Sequence, residues 1–178
     1  LPEVLDKKAW WGGDFLWTDP NHLQLAFLAF PRVPVLINTE LIRPDEIKSY
    51  RDLLDPKWKG KISLLDPTMA GYGNSFFTFA ADSFGLDYLR ELGKQEPVIT
   101  RNERLQAEWI ARGKYPVVIG LKPEVITEFI KAGAPIKTLT LAEGTFIESA
   151  GGGVLLMNRA PHPAGARLFI NWLLSKEG

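Results

Sequence analysis

The feature that most constrains the fold is a turn, a strand and a glycine-containing loop that follow one another in residues 52–75. The turn, DLLDPKWKGK, contains a proline that fixes φ and a glycine that lets the backbone reverse. Trp58 is large enough to anchor this turn to a core. The apolar run 62–65 predicts a strand, the loop 66–74 follows, and a helical pattern begins at about Ser75. A strand that passes through a glycine loop into a helix indicates α/β structure.

The rest of the chain repeats this alternation of strand and helix patterns. The predicted strands are 34–38, 61–65, 97–100, 115–119 and 136–140. The predicted helices are 75–84, 86–93, 102–111, 123–132 and a last one that begins at Pro161. Such alternation predicts an α/β fold with a mostly parallel sheet flanked by helices.

Composition excludes several classes of protein. The chain has 178 residues, a net charge of zero and no cysteine, so it predicts no nucleic-acid partner and no disulfide. No apolar run reaches the ~20 residues that cross a bilayer. No nucleophile, metal or phosphate-loop motif is present, and His162 lies in a proline-flanked segment that favours a structural role. We therefore expect no catalytic residue, no metal site and no cofactor.

Three segments resemble the type II extracellular solute-binding proteins of ABC importers, in particular the iron, thiamine and polyamine subgroup. They read DLLDPKWKGKI, EWIARGKYPVVIG and APHPAGARLFINWLLSKEG, and the resemblance runs over residues 33–178. It implies one lobe of a periplasmic-binding-protein-like type II fold, in a chain that lacks the family's N-terminal part. On this reading 1–33 is a flank that packs on a first lobe, 34–150 is the substrate-binding lobe, and 151–178 is the hinge return with the last helix.

The resemblance implies a non-enzymatic function in transport. The chain would capture a small polar or anionic solute in a cleft between lobes and deliver it to an ABC permease in the membrane. Its location would be periplasmic or extracellular, with the signal peptide outside this chain. Two alternatives stay open: an α/β enzyme domain acting on a phosphorylated or carboxylated metabolite, and a sensor domain of the same fold. Iron-binding members use adjacent tyrosines, and none of the four tyrosines here are adjacent.

The predicted ligand-binding residues lie in loops that follow strands, because ligands of such sheets bind outside the carboxyl ends of strands. The glycine loop leads into a helix N-terminus, where free N–H groups favour anions. Arg101 offers a guanidinium fork, and Lys122 is a cation at a helix start, where it opposes the helix dipole. These three loops supply Gly71, Tyr72, Gly73, Asn74, Ser75, Arg101, Asn102 and Lys122.

A fourth segment, 143–153, reads EGTFIESAGGG and borders the cleft in the family that the chain resembles. Glu148 and Ser149 are predicted to lie at the rim of the site, and the three consecutive glycines suit a hinge. The flanks 1–33 and 154–178 are rich in aromatic residues. Because exposed aromatic surface is costly in water, we expect the flanks to pack on each other or on a second copy of the chain.

Overall fold

A computed structural model describes residues 2–28, 30–32, 35–148 and 152–178 of the chain. Its α-helices are α1 (Pro2–Leu5), α2 (Tyr72–Phe84), α3 (Leu86–Lys94), α4 (Glu103–Ala111), α5 (Pro123–Lys131) and α6 (Pro163–Leu173). Its strands are β1 (Leu16–Trp17), β2 (Leu25–Ala26), β3 (Phe30–Pro31), β4 (Val35–Asn38), β5 (Ile62–Leu65), β6 (Val98–Thr100), β7 (Val117–Ile119), β8 (Ile136–Thr138), β9 (Ile147–Glu148) and β10 (Gly153–Val154). Short 3-10 helices cover Lys7–Ala9, Trp11–Gly13, Pro44–Glu46, Tyr50–Leu54 and Pro56–Trp58.

These elements form two compact units. The larger unit is residues 32–146, and the smaller unit combines residues 1–31 with 147–178. The functional division of the chain into a flank, a binding lobe and a hinge return stays a prediction.

The larger unit contains a five-stranded sheet in the order β6-β5-β7-β4-β8. Strand β5 is parallel to both of its neighbours, β6 and β7, whereas β4 is antiparallel to β7 and β8. The predicted α/β class is therefore confirmed, and the five strands lie where the sequence predicts them. Four strands run in one direction, and β4 alone runs the other way. Strand β4 reaches β5 through short 3-10 helices rather than through a crossover α-helix.

Helices cover both faces of this sheet, and the strand residues alternate between two cores. Residues such as Ile37 and Ile62 face a core that includes Tyr50, Phe76 and Leu92 from the elements on that side. On the opposite face, Leu36 and Val118 join Ala107, Ile110 and Ile126 from α4 and α5. Because successive side chains of a strand point to opposite faces, a strand buried on both sides is apolar throughout. This is why β4, β5 and β7 read as continuous buried strands.

The turn before β5 is fixed by its tryptophan, as predicted. Trp58 is only 4% exposed, and its indole N–H donates to the Asp52 carbonyl oxygen over 2.9 Å. The carboxylate of Asp55 accepts the Lys57 N–H over 2.9 Å and caps the 3-10 helix that begins at Pro56. The Lys57 ammonium lies 4.6 Å from the centroid of this ring. A lysine can lie against an aromatic ring in this way because only its ammonium end needs water.

Two predicted helix starts shift in the structure. Helix α2 begins at Tyr72, two or three residues before the predicted start at Asn74 or Ser75, because Gly71 adopts a φ of 130° and turns the chain into the helix earlier. Helix α6 begins at Pro163 rather than at Pro161. A proline disfavours helical backbone in the residue before it, and His162 has the non-helical φ and ψ of −131° and 70°.

The smaller unit has a three-stranded antiparallel sheet, β1-β2-β10, and an antiparallel pair, β3-β9. Trp10 packs edge-to-face on Phe15 with 5.4 Å between ring centroids, and Phe15 contacts Trp17 at 6.1 Å. In α6, Phe169 and Trp172 contact each other at 5.7 Å. Trp17 is still 37% exposed and Trp172 46% exposed. Aromatic residues of the flanks thus pack on near neighbours, and self-association stays a prediction.

Candidate functional site

The carboxyl ends of three parallel strands meet at one edge of the larger sheet. In β5 and β6, Leu65 lies opposite Thr100, and in β5 and β7, Leu64 lies opposite Ile119. Each strand is followed by a loop and a helix: α2 after β5, α4 after β6 and α5 after β7. The three predicted loops therefore lie on the same edge of the sheet. We call this edge the strand-end site.

Glycines bring α2 unusually close to the end of β5. A Cβ atom on Gly73 would lie 2.6 Å from the Leu65 carbonyl oxygen and 2.8 Å from that of Asp66, and both are backbone atoms that cannot move aside. Gly120, in the loop after β7, has a φ of 85°, and a Cβ on it would lie 3.4 Å from the Gly73 Cα. Gly73 is therefore required for close approach, and Gly120 for its backbone conformation.

The first turn of α2 presents backbone donors at the strand-end site. The first helical bond runs from the Ser75 N–H to the Gly71 carbonyl oxygen over 2.9 Å. Among the described residues, none accepts the N–H groups of Tyr72, Gly73 and Asn74. These N–H groups lie at the positive end of a helix of 13 residues, which favours a negatively charged ligand.

The side chains of Asn74 and Ser75 hold the loop itself. The Asn74 amide donates to the Pro67 carbonyl oxygen over 3.1 Å, and the Ser75 hydroxyl donates to the Gly71 carbonyl oxygen over 3.0 Å. Both contacts brace the glycine loop at the start of α2. The sequence predicts ligand contacts from these two side chains, and the structure gives each of them a bond within the loop.

Arg101 links the loop after β6 to the loop after β5. Its Nε donates to the Asp66 Oδ2 atom over 2.7 Å, and the Thr68 hydroxyl and N–H donate to Oδ1 over 2.7 and 2.8 Å. The hydrogen bond from the Thr68 hydroxyl, followed by that from Arg101, lowers the pKa of Asp66 to about 2. The Asp66 side chain is 12% exposed and that of Arg101 is 70% exposed. The hydrogen bond from Nε to Asp66 thus orients the Arg101 guanidinium, while much of the side chain stays in contact with solvent.

Asn102 and Lys122 have structural partners. Asn102 caps α4, because its side-chain oxygen accepts the Leu105 N–H over 3.0 Å. The Lys122 ammonium lies 2.8 Å from a carboxylate oxygen of Glu103 in the first turn of α4. A cation at the start of α5 opposes the helix dipole, and Glu103 offsets that cost. The position of Lys122 therefore has a structural explanation that the sequence did not show.

Tyr72 is packed, although the sequence predicted little for it to pack on. It is 8% exposed, and the Arg32 guanidinium lies 3.7 Å from the centroid of its ring. The Arg32 backbone is held as well, since its N–H donates to the Phe146 carbonyl oxygen over 2.9 Å and its carbonyl oxygen accepts from the Thr145 hydroxyl. Sequence reasoning missed Arg32, because 40 positions separate it from Tyr72 and no local pattern marks the contact.

Glu148, one of the two predicted rim residues, belongs to the smaller unit. The backbone of Glu148 pairs with Phe30 in the β3-β9 ladder. Ser149 lies outside the described residues. Their predicted role at the site stays a prediction. Within the described part of the chain, no three His, Cys, Asp or Glu residues are grouped as a metal site would need. Nor is any helix there long and apolar enough to cross a bilayer.

Comparison with known proteins identifies the family of this chain. A family model described as bacterial extracellular solute-binding protein matches residues 23–178. The chain belongs to this family. The chain is also 31% identical over 150 residues to an uncharacterized protein of Haemophilus influenzae, a match that covers 80% of this chain and 42% of that protein.

The fold of the chain is also similar to that of solved structures. The chain is similar to the periplasmic binding protein AfuA from Actinobacillus pleuropneumoniae, which was solved with fructose-6-phosphate, at 27% identity and a TM-score of 0.66. That match covers 99% of this chain and 56% of AfuA. The Trichodesmium protein FutA, solved with iron and citrate, matches at 21% identity and a TM-score of 0.71, over 89% of this chain and 54% of its own. The chain thus spans about half the length of these proteins, and its fold is that of type II periplasmic binding proteins.

Proposed function

We propose that this chain supplies the solute-binding activity of an ABC importer and captures a small anionic solute at the strand-end site. The observation that carries the proposal is the convergence of three loops at one sheet edge, with unaccepted N–H groups in the first turn of α2. Fixed donors at a helix N-terminus bind anions without needing a chemical step. Binding and release, rather than catalysis, follow from such a set of donors.

A phosphorylated sugar is the ligand class that we favour. The relative AfuA was solved with fructose-6-phosphate, and it matches nearly the whole of this chain. A phosphate group accepts several hydrogen bonds at once, which suits backbone N–H groups combined with the Arg101 fork. We further propose that the protein acts in the periplasm and passes its solute to a membrane permease after the lobes close.

An NMR titration of the ¹⁵N-labelled 178-residue chain tests the ligand class. Fructose-6-phosphate should shift the amide signals of Tyr72, Gly73 and Asn74, whereas fructose at equal concentration should leave them in place. Inorganic phosphate should shift the same signals with lower affinity, because it lacks the sugar contacts. Equal responses to fructose and to its phosphate, or shifts confined to other parts of the chain, would contradict the proposal.

Replacing Arg101 tests the side-chain contribution to the same site. The Arg101→Ala variant should lose ~1.5–3 kcal/mol of affinity for fructose-6-phosphate, the range for a charge-assisted hydrogen bond. Arg90→Ala is a matched control, because Arg90 also forms an ion pair with an aspartate, Asp87 at 2.5 Å, but lies on α3. The two variants should unfold within about 1 kcal/mol of the original chain, since both arginines are exposed. An unchanged affinity in Arg101→Ala would remove this residue from the site.

A further inference from the structure

The outer edge of β8 is a second feature of the larger unit that the solute-binding proposal does not use. Strand β8 ends the five-stranded sheet, and within the part of the chain that the structure describes it pairs with β4 alone. The hydrogen bonds to the β4 segment come from the odd-numbered residues on the β8 side. The Pro135 carbonyl oxygen accepts the Thr39 N–H over 2.7 Å, and the Leu139 N–H donates to the Val35 carbonyl oxygen over 3.0 Å. Because peptide groups of a strand alternate in direction, those of Thr138 and Thr140 point to the open side.

A groove of about 620 Å³ lies beside this edge. One wall is residues 137–142, and the other is formed by Pro44, Asp45, Ile47 and Lys48. The Ala142 N–H donates to the Lys48 carbonyl oxygen over 2.7 Å and joins the two walls. From Thr138 to Ala142 the groove runs along five residues. At ~3.3 Å per residue, it matches an extended segment of about the same number of residues.

The groove carries a surplus of positive charge. Lys48 and Lys137 stand on opposite walls, both exposed, and neither has an ion-pair partner among the described residues. Asp45 is the one acidic residue of the walls, and its Oδ1 atom lies 3.4 Å from the Nε atom of Arg43, which offsets its negative charge. A second copy of the chain would bring the same two lysines against each other if it paired edge to edge. Like charges in such positions are destabilising, so the charge favours a partner that carries carboxylates.

We propose that the β8 edge is a docking surface for an extended, acidic segment of another protein, which adds to the sheet as a sixth strand. Main-chain hydrogen bonds to the open peptide groups of Thr138 and Thr140 would supply affinity, and carboxylates paired with Lys48 and Lys137 would supply selectivity. This surface lies at the end of the sheet formed by β8, whereas the strand-end site is formed by the loops after β5, β6 and β7. Docking therefore goes beyond solute binding and does not depend on it.

A pair of synthetic peptides tests the docking surface. Acetyl-Val-Glu-Val-Glu-Val-amide should shift the amide signals of Thr138 and Thr140 in the ¹⁵N-labelled 178-residue chain. The matched peptide, with Lys in place of Glu, should leave these signals unchanged. The Lys48→Glu/Lys137→Glu double variant should bind the acidic peptide at least about tenfold more weakly. The control is Lys61→Glu/Lys131→Glu, which reverses two exposed lysines outside the groove.

A backbone variant separates strand addition from simple charge attraction. Thr138→Pro removes an N–H on the open side and leaves the bonds to β4 in place, since proline is tolerated in edge strands whose N–H faces outward. It should abolish binding of the acidic peptide while the circular dichroism spectrum is unchanged. If Thr138→Pro fails to fold, protection of the Thr138 and Thr140 amides from hydrogen exchange by the peptide replaces it. Equal binding of both peptides, equal loss in the control variant, or dimers that pair through β8 would overturn the proposal.

Discussion

At the scale of single residues, Gly73 lies where the backbone leaves no space for a side chain. Because its missing Cβ would lie 2.6 Å from the carbonyl oxygen of Leu65, Gly73→Ala must push α2 away from β5. Overpacking of this kind costs ~1–3 kcal/mol. We expect the free energy of unfolding, measured by urea denaturation, to fall by about that amount.

Gly93 provides the matched control for this substitution. It lies in α3, and a Cβ built there meets nothing within 4 Å. Gly93→Ala should stabilise the chain by ~0.4–1 kcal/mol, because alanine restricts the unfolded chain and favours the helix. Equal effects of the two substitutions would show that close packing at Gly73 is not the cause.

At the scale of elements, Asp66 joins the loop after β5 to the loop after β6, and this link depends on pH. The pKa of Asp66 in the folded chain is about 2, below its ordinary value near 3.8. The folded state therefore binds fewer protons than the unfolded state between these values. The stability that the ionised Asp66 carboxylate contributes is therefore complete above about pH 4 and is lost as the pH falls through 2. The difference in unfolding free energy between the original chain and Asp66→Asn should shrink over that window.

Thr68→Val provides the second variant for this element. It removes the hydroxyl that contributes most to the lowered pKa of Asp66 but leaves the carboxylate and Arg101 in place. Because the folded-state pKa of Asp66 then lies closer to its unfolded value, the acid loss of stability should be smaller and should end at a higher pH than in the original chain. Denaturation curves measured at several pH values between 5 and 2 would reveal this shift, and identical curves for Thr68→Val and the original chain would contradict the assignment.

At the scale of the whole molecule, α6 carries an exposed apolar face that includes Leu168, Phe169 and Trp172, which are 72%, 56% and 46% exposed. Burial of apolar surface yields about 25 cal/mol per Å², so covering this face in a dimer is favourable. We expect concentration-dependent self-association of the 178-residue chain in light scattering. Leu168→Glu/Phe169→Glu should shift the equilibrium toward monomer.

Leu86→Glu is the control for self-association. Leu86 is 60% exposed and lies at the start of α3 in the larger unit, so its replacement removes exposed apolar surface elsewhere. It should leave the association constant unchanged. A monomer at every concentration, or an equal response to both variants, would refute association through α6.

The sequence by itself determined the local elements. Ser49 and Asn102 cap the segments predicted for them, Pro123 begins α5 as predicted, and the apolar runs become buried strands. These features follow from neighbours in the chain, because caps, proline geometry and two-residue periodicity act over a few positions. The glycine loop and its place after a strand were predictable for the same reason.

Only the tertiary structure decided which side chains meet at the strand-end site. The Arg32 stack on Tyr72, the Arg101 bond to Asp66 and the reversed direction of β4 all join segments that are distant in sequence. Periodicity gives the face on which a residue lies but not the partner it meets there. Strand order and direction set those partners, and they are fixed by the packing of the whole sheet between two helical layers.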